Sequence, residues 1–394
     1  MVGASLALAL SGSGMGIALV DAQSLEPALL TPDSPWQPRV SALTEATVNL
    51  FNHLDVWQTM VEQRVCPYSH MTVWDAEGTG EIAFDAQSVS RSAIGHIVEN
   101  DVIRQALLAK LAESGVYLYE NQTEIGYELQ DSGGTLRLAD GQEISAPLLV
   151  AADGAESQLR KEAGIPSNQK DYQHHAIVTT VETELPHGSD ARQVFLDTGP
   201  LAFLPLPDKG GKHYCSIVWS LIPDQADRIQ SLSDKAFGEA LGKVFEHRAG
   251  GIIQSDERLR FPLRQRHARQ YYRHGIVVVG DAAHTIHPLA GQGVNLGLMD
   301  VAVLAEELLR AYDRGDLLHG DHTLSRYQRR RKGHNMAMMA AMKGFQDLFG
   351  ADDIAVRWLR NTGLNIAQQL PPVKQLFIKL AMGSFGDLPE LVRS

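Results

Sequence analysis

Cysteine is scarce: Cys66 and Cys215 are the two in 394 residues. Two thiols cannot staple a chain of this length, which excludes a disulfide framework and makes a reducing compartment the expectation. Positive charge is also short, with 35 Lys and Arg against 47 Asp and Glu and a net charge of -12. An acidic surface repels phosphate backbones, so no nucleic-acid partner is expected. No cation precedes Arg39, so the uncharged opening MVGASLALALSGSGMGIALV lacks the basic start of a secretory signal. Ser11, Gly12, Ser13, Gly14 and Gly16 break it well before the roughly 20 consecutive apolar residues that a membrane span needs. The expected location is therefore cytoplasmic. Repeats with periods of about 20–50 residues and low-complexity tracts are missing too, which excludes solenoids and arrays. His284 and His287, three residues apart without a third ligand in view, read as loop-shaping residues, and no metal is expected.

What remains is globular composition, 44% hydrophobic and 21% charged, enough for two or three packed units. Three segments share one grammar of strand, turn and helix. In the first, Val2 to Leu10 reads as an Ala- and Leu-rich helix, Ser11 to Gly16 as a turn, and Ile17 to Val20 as a buried strand ending at Asp21. This is the second half of a nucleotide-binding βαβ unit: Gly3 permits close helix packing, and Asp21 takes the ribose hydroxyls of an adenosine. A structural Ala-rich helix followed by any strand fits those two residues equally well. In the second segment, Leu148 to Val150 is strand, Asp153-Gly154 turn, and Ser157 to Arg160 opens a helix. In the third, Ile276 to Val279 is strand, Gly280-Asp281 turn, and a loop through Gly291, Gln292 and Gly293 leads into a helix from about Val294. Its apolar face is Val294, Leu298, Val301, Ala305 and Leu308. The three units predict one parallel sheet, with ligand at the carboxyl ends of its strands.

Between the second and third segments the texture turns to short β-type runs, Ala176 to Val181, Leu201 to Leu206 and Ser216 to Trp219, divided by Pro and Gly. They predict a mostly antiparallel inserted sheet, joined by Met71 to Trp74 and Ile82 to Phe84. The last fifty residues read as helical. Met336, Met338, Met339 and Met342 read as core, although methionine also suits a flexible prenyl chain. Arg329, Arg330, Arg331 and Lys332 read as a solvated helix face, with anionic lipid as the other reading. His174 and His175, if in a strand, point to opposite faces and do not act together.

The stretch from Gly280-Asp281-Ala282-Ala283-His284 through Pro288, Gly291-Gln292-Gly293-Val294-Asn295 to Asp300 closely resembles the signature of flavin-dependent aromatic hydroxylases, in particular the ubiquinone-biosynthesis hydroxylases. Asp153-Gly154 with Ser157 and Arg160 resembles the second flavin motif of that family, and Arg39-Val40-Ser41-Ala42-Leu43 its early arginine segment. Similar texture at Gly95 to Asn100, Asp171 to His175 and Cys215 to Trp219 carries the resemblance across nearly the whole chain, toward the members that act on 2-polyprenylphenols.

The resemblance implies an α/β fold: a Rossmann-like FAD-binding domain of the p-hydroxybenzoate-hydroxylase type, carrying an inserted antiparallel substrate sheet. The expected division is 1–66, 85–165 and 260–345 for FAD, 67–84 and 166–259 for substrate, and 346–394 for a helical C-terminal region. Gly3, Asp21, Arg39, Asp153, Gly154, Gly280, Asp281, Pro288, Gly291, Gln292, Gly293, Val294 and Asn295 become candidate FAD residues. Pro288 and His287 are candidates for positioning the ring. The implied reaction is hydroxylation of a polyprenylated phenol in ubiquinone biosynthesis, with NAD(P)H as reductant and O2 delivered through a flavin hydroperoxide. Implied partners are a quinone-biosynthesis complex and peripheral contact with the inner membrane. One departure stands out: the strand and first two glycines of the G-x-G-x-x-G motif would precede Met1. The expectation is an N-terminally shortened chain with little flavin and low solubility, and the alternative function is a flavin-free scaffold subunit.

Overall fold

The computed structural model describes residues 1–31, 33–76, 78, 80–123, 125–130, 132–285, 293–349, 382–383 and 387–393, with backbone alone over 345–349. The opening helix, Val2–Leu10, buries Ala4, Leu6, Ala7, Leu8 and Leu10. The Leu149–Ala151 and Ile276–Val278 strands run parallel and adjacent, with Tyr272–Arg273 antiparallel outside them. The Ala18–Val20 strand instead pairs in parallel with Tyr117–Tyr119, in a ladder of its own. The one parallel sheet expected from three strand-turn-helix units is thus two ladders. The gap has a physical origin: among the described residues no strand lies between Ala18–Val20 and Leu149–Ala151, where the resemblance puts the strand ahead of the first glycine turn. The opening helix spans the gap. A Cβ on Gly3 would lie 3.2 Å from the Ala152 Cβ and 3.5 Å from Leu19 Cδ1, so a side chain there would push the helix off both ladders.

The second layer is a nine-stranded sheet in the order His284–Thr285, Leu259–Ala268, Ser167–Thr183, Lys212–Leu221, Gly199–Lys209, Asp190–Leu196, His70–Asp75, Glu81–Asp85, with Ile252–Ser255 beside the end of Ser167–Thr183. Its pairings are antiparallel except that of Asp190–Leu196 with His70–Asp75. Alternation gives the sheet two apolar faces. Phe203, Ile217 and Trp219 pack under Phe237 and Leu241 of the Asp234–Val244 helix. Ala202, Leu204 and Leu206 face the other way, onto Tyr68 and Ile97 of a small sheet formed by Val40–Leu43, Gly95–Glu99 and Cys66–Tyr68. Leu259–Ala268 runs through the expected boundary at 260 and pairs at its end with His284–Thr285, bringing the large sheet up to the Gly280 turn.

Two helices complete the frame. The first, Gly293–Arg314, called here the Gly293 helix, buries Leu298, Val301, Ala305 and Leu308 as its periodicity requires, and Leu296, Val303 and Leu304 as well. The second, Asp321–Phe349, called the Asp321 helix, lies against it. Its Met339 packs with Leu296 and Met338, whereas Met336 is exposed. Most of the expected 346–394 helical region lies outside the described residues, and Glu390–Val392 is a short 3-10 turn. Among the described residues, no helix is long and apolar enough to cross a membrane.

Candidate functional site

The site grows from the strand Ile276–Val278, whose three residues are buried. The chain then turns sharply at Gly280, with φ +58°, into the 3-10 turn Gly280–Ala282. A Cβ on Gly280 would lie 3.1 Å from Val2, and one on Gly297 would lie 3.1 Å from the Gly280 Cα. Turn and Gly293 helix therefore meet backbone to backbone, with the Val2 side chain of the opening helix packed against both, an approach that side chains at these positions would prevent. Asp281 emerges from this junction exposed, and among the described residues its carboxylate accepts no hydrogen bond. Desolvation by the surrounding protein nevertheless raises its pKa, opposed by His284, Arg39 and Arg266. The carboxylate is thus reached by solvent yet close enough to protein to lose part of its hydration.

The second motif docks on the first. Asp153 Oδ2 accepts from the Gln158 and Leu159 N–H groups at 2.8 and 3.2 Å, and Ser157 Oγ accepts from Arg160 N–H at 3.0 Å, so the two side chains cap the Gln158–Glu162 helix. Gly154 sits in the turn between them. The helix delivers Arg160, buried, whose guanidinium donates to the Ala282 carbonyl at 2.8 Å and to Ala155 at 3.2 Å. Arg160 thereby ties the Asp153-Gly154 turn to the Gly280-Asp281 turn.

Arg39 comes within electrostatic reach of Asp281 from the segment ahead of Val40–Leu43, with its guanidinium 5.4 Å from the Phe261 ring centre. Burial holds that segment in place. Arg64, paired with Glu99 at 2.8 Å, donates to the Ser34 carbonyl at 2.6 Å, and Gln37 N–H donates to Glu99 at 2.7 Å. Asp21 follows Ala18–Val20 at the end of the other ladder and accepts from Gln23 N–H at 2.9 Å. Gly293 opens its helix, and a Cβ there would meet nothing within 4 Å among the described residues. Val294 follows it, half-buried. Asn295 differs from its neighbours: Oδ1 accepts from Thr44 N–H at 3.1 Å and Thr47 Oγ1 at 2.8 Å, and Nδ2 donates to the Ala42 carbonyl at 2.8 Å. Its side chain bolts the Gly293 helix to Val40–Leu43 and keeps one Nδ2–H beyond these bonds. Candidates His287, Pro288, Gly291 and Gln292 lie outside the described residues.

Behind the turn is a network that sequence reasoning missed. Asp300, fully buried, accepts through Oδ2 from Gly280 N–H at 3.1 Å and His284 Nε2 at 2.5 Å. Through Oδ1 it accepts from Arg331 Nε at 2.7 Å and Asn335 Nδ2 at 3.2 Å. Asn335 also donates to the Tyr271 hydroxyl at 3.1 Å and accepts from Arg331 at 2.6 Å. Burial pushes the Asp300 carboxyl up, but His284 and Arg331 overcome it and hold it well below the usual carboxylate range. Burial, with His284 and Lys332 nearby, lowers the His267 pKa to about 4. Arg331 corrects the reading of 329–332 as a solvated face: it is buried, while Arg330 pairs with Glu306 and Glu307 and, at 2.7 Å, with Asp387. The available signal was Asp300 itself, an acid among the apolar positions Leu298, Val301 and Ala305.

Known proteins fit this geometry. Residues 1–342 match the family described as FAD binding domain. The 3-demethoxyubiquinol 3-hydroxylase of Escherichia coli is 36% identical over 384 residues, covering 97% of this chain and 96% of that protein. The ubiquinone hydroxylase UbiL of Rhodospirillum rubrum is 33% identical over 393 residues, covering 99% of this chain and 89% of that one. The mitochondrial ubiquinone biosynthesis monooxygenase COQ6 of Xenopus tropicalis is 32% identical, covering 97% and 91%. Among solved structures, p-nitrophenol 4-monooxygenase PnpA of Pseudomonas putida has a TM-score of 0.75 at 19% identity, covering 97% of this chain and 95% of that chain. PqsL of P. aeruginosa in complex with 2-aminobenzoylacetate has a TM-score of 0.76 at 19% identity, covering 93% and 97%. These two likenesses establish the fold.

Proposed function

The chain belongs to the FAD-binding monooxygenase family that includes the ubiquinone-biosynthesis hydroxylases, and we propose that it hydroxylates the aromatic ring of a polyprenylated phenol in ubiquinone biosynthesis. It is a flavin-dependent aromatic monooxygenase with FAD as cofactor. The observation that carries the substrate reading is the near full-length similarity to relatives named for ubiquinone biosynthesis, with the open Asp281 carboxylate where such a site needs it.

When bound, FAD supplies the reduction of O2 and the insertion of one oxygen atom into the ring. The rest falls to side chains and backbone. Asp281 would accept from a ribityl or ribose hydroxyl, and Asp21 from the adenosine ribose. The leading N–H groups and positive end of the Gly293 helix would favour negative charge on the reduced ring by about 0.3–1 kcal/mol. Arg39 would meet FAD, and Phe261 beside it with the apolar group Tyr172, Ala176, Val178 and Leu263 would orient a phenol and keep water away from it. NAD(P)H is the proposed reductant. The polyprenyl tail of the substrate places the reaction at the inner-membrane surface, alongside other enzymes of quinone biosynthesis.

Deleting the gene and identifying the accumulating precursor by mass spectrometry tests this reading. The expected result is a polyprenylated phenol short of one ring hydroxyl, together with flavin absorbance in the purified protein. An unchanged quinone pool without such a precursor contradicts it. A colourless protein that still restores quinone synthesis would favour the flavin-free scaffold.

A further inference from the structure

The two groups that pin Asp281 from either side end on one atom. Gly280 N–H, just before it, and His284 Nε2, three residues after it, both donate to Asp300 Oδ2, at 3.1 and 2.5 Å. The other oxygen, Oδ1, faces the opposite way and takes Arg331 and Asn335 of the Asp321 helix, at 2.7 and 3.2 Å. One carboxylate therefore brackets the turn on one side and a long helix on the other. Gly297, one turn earlier on the Gly293 helix, supplies the clearance that lets the Gly280 backbone come within reach. A buried ion cluster is weak as a stability device, because apolar residues of similar volume commonly stabilise as well or better. Its directional bonds do something apolar packing cannot: they set the position of a backbone turn to within a hydrogen-bond length.

We infer that Asp300 is a positioning residue for the cofactor, acting through Asp281. It holds the Gly280–Asp281 turn so that the Asp281 carboxylate meets a hydroxyl of FAD, and through Arg331 and Asn335 it makes that placement depend on the seat of the Asp321 helix. The inference rests on the reading of Asp281 as an FAD residue.

The test is a double-mutant cycle on FAD affinity, read by flavin fluorescence on protein stripped of FAD, with Asp281→Asn, Asp300→Asn and the pair. If Asp300 acts through Asp281, Asp300→Asn weakens FAD at least tenfold in the wild-type background and less than twofold once Asp281 is Asn. A purely structural Asp300 would give the same loss in both backgrounds, or none in either, and that overturns the inference while leaving the FAD site standing. Wild-type affinity for Asp281→Asn alone overturns the site reading and the inference together. Should Asp300→Asn fail to fold, Arg331→Lys, which keeps the charge and loses the fork, runs through the same cycle with the same two outcomes.

Discussion

The front and the back of the Gly280–Asp281 turn carry one aspartate each, and the fold treats them oppositely. In front, Asp281 is exposed, without a partner among the described residues, and its pKa is raised by desolvation. Behind, Asp300 is sealed, four times hydrogen-bonded, and held well below the usual carboxylate range despite its burial. Among the described residues, the front leaves its demand for hydrogen-bond donors unmet. The back has met every such demand from within the chain. Polar residues of one signature thus divide into those kept for a ligand and those spent on the frame, and it is the inventory of partners that tells them apart.

The largest effect lies at the back. Asp300→Leu leaves Arg331 and His284 buried without their acceptor and should cost about 3–5 kcal/mol, measured by thermal or denaturant unfolding of the FAD-free protein. The pH dependence has a definite sign. A carboxylate with a depressed folded pKa contributes stability above its unfolded value of about 3.9 and loses it as pH falls through the folded pKa. The gap between wild type and variant should hold from neutral pH downward and narrow only in strong acid. Equal stability at pH 7 would break the comparison.

Two glycines of one helix sharpen it. Gly297→Val drives a side chain against the Gly280 backbone and should destabilise the FAD-free protein by about 1–3 kcal/mol. Gly293→Val meets nothing among the described residues, so it should change unfolding by less than about 0.5 kcal/mol while abolishing flavin retention and hydroxylation. Matching losses of stability in the two variants would show that the front is as closed as the back.

The smallest effect is the pH dependence of FAD affinity. The acceptor form of Asp281 is the ionised one, and its pKa is raised. Binding followed by fluorescence should weaken as pH falls through that raised value, before an ordinary carboxylate titrates, and Asp281→Asn should remove that limb.

The front of the turn was legible because its grammar is local: buried strand, Gly280-Asp281, glycine loop and helix follow one another in the chain. The back was not, because Asp300 meets Gly280 across 20 positions and Asn335 across 35. Nor does a run of cations on a helix disclose that Arg331 turns inward while Arg330 meets Glu306 and Glu307. Asn295 carries a second role for the same reason: polar and next to a glycine loop, it reads as a ligand residue, and its bonds to Thr44, Thr47 and Ala42 across 248 to 253 positions could not be read beside it. The parallel strands were visible as apolar runs, but their division into two ladders depends on which strand stands beside which, and no run records that.

The division between open front and sealed back is tested most directly by Asp281→Asn, with FAD affinity and the melting temperature of the FAD-free protein measured on one preparation. A raised folded pKa means that the ionised carboxylate opposes folding at neutral pH, so removing its charge relieves the fold while it deprives FAD of a charged acceptor. The expected result is affinity weakened about tenfold or more, from the loss of about 1.5–3 kcal/mol, with a melting temperature equal to or above wild type. Unchanged affinity together with a lowered melting temperature would make Asp281 part of the frame and contradict the account.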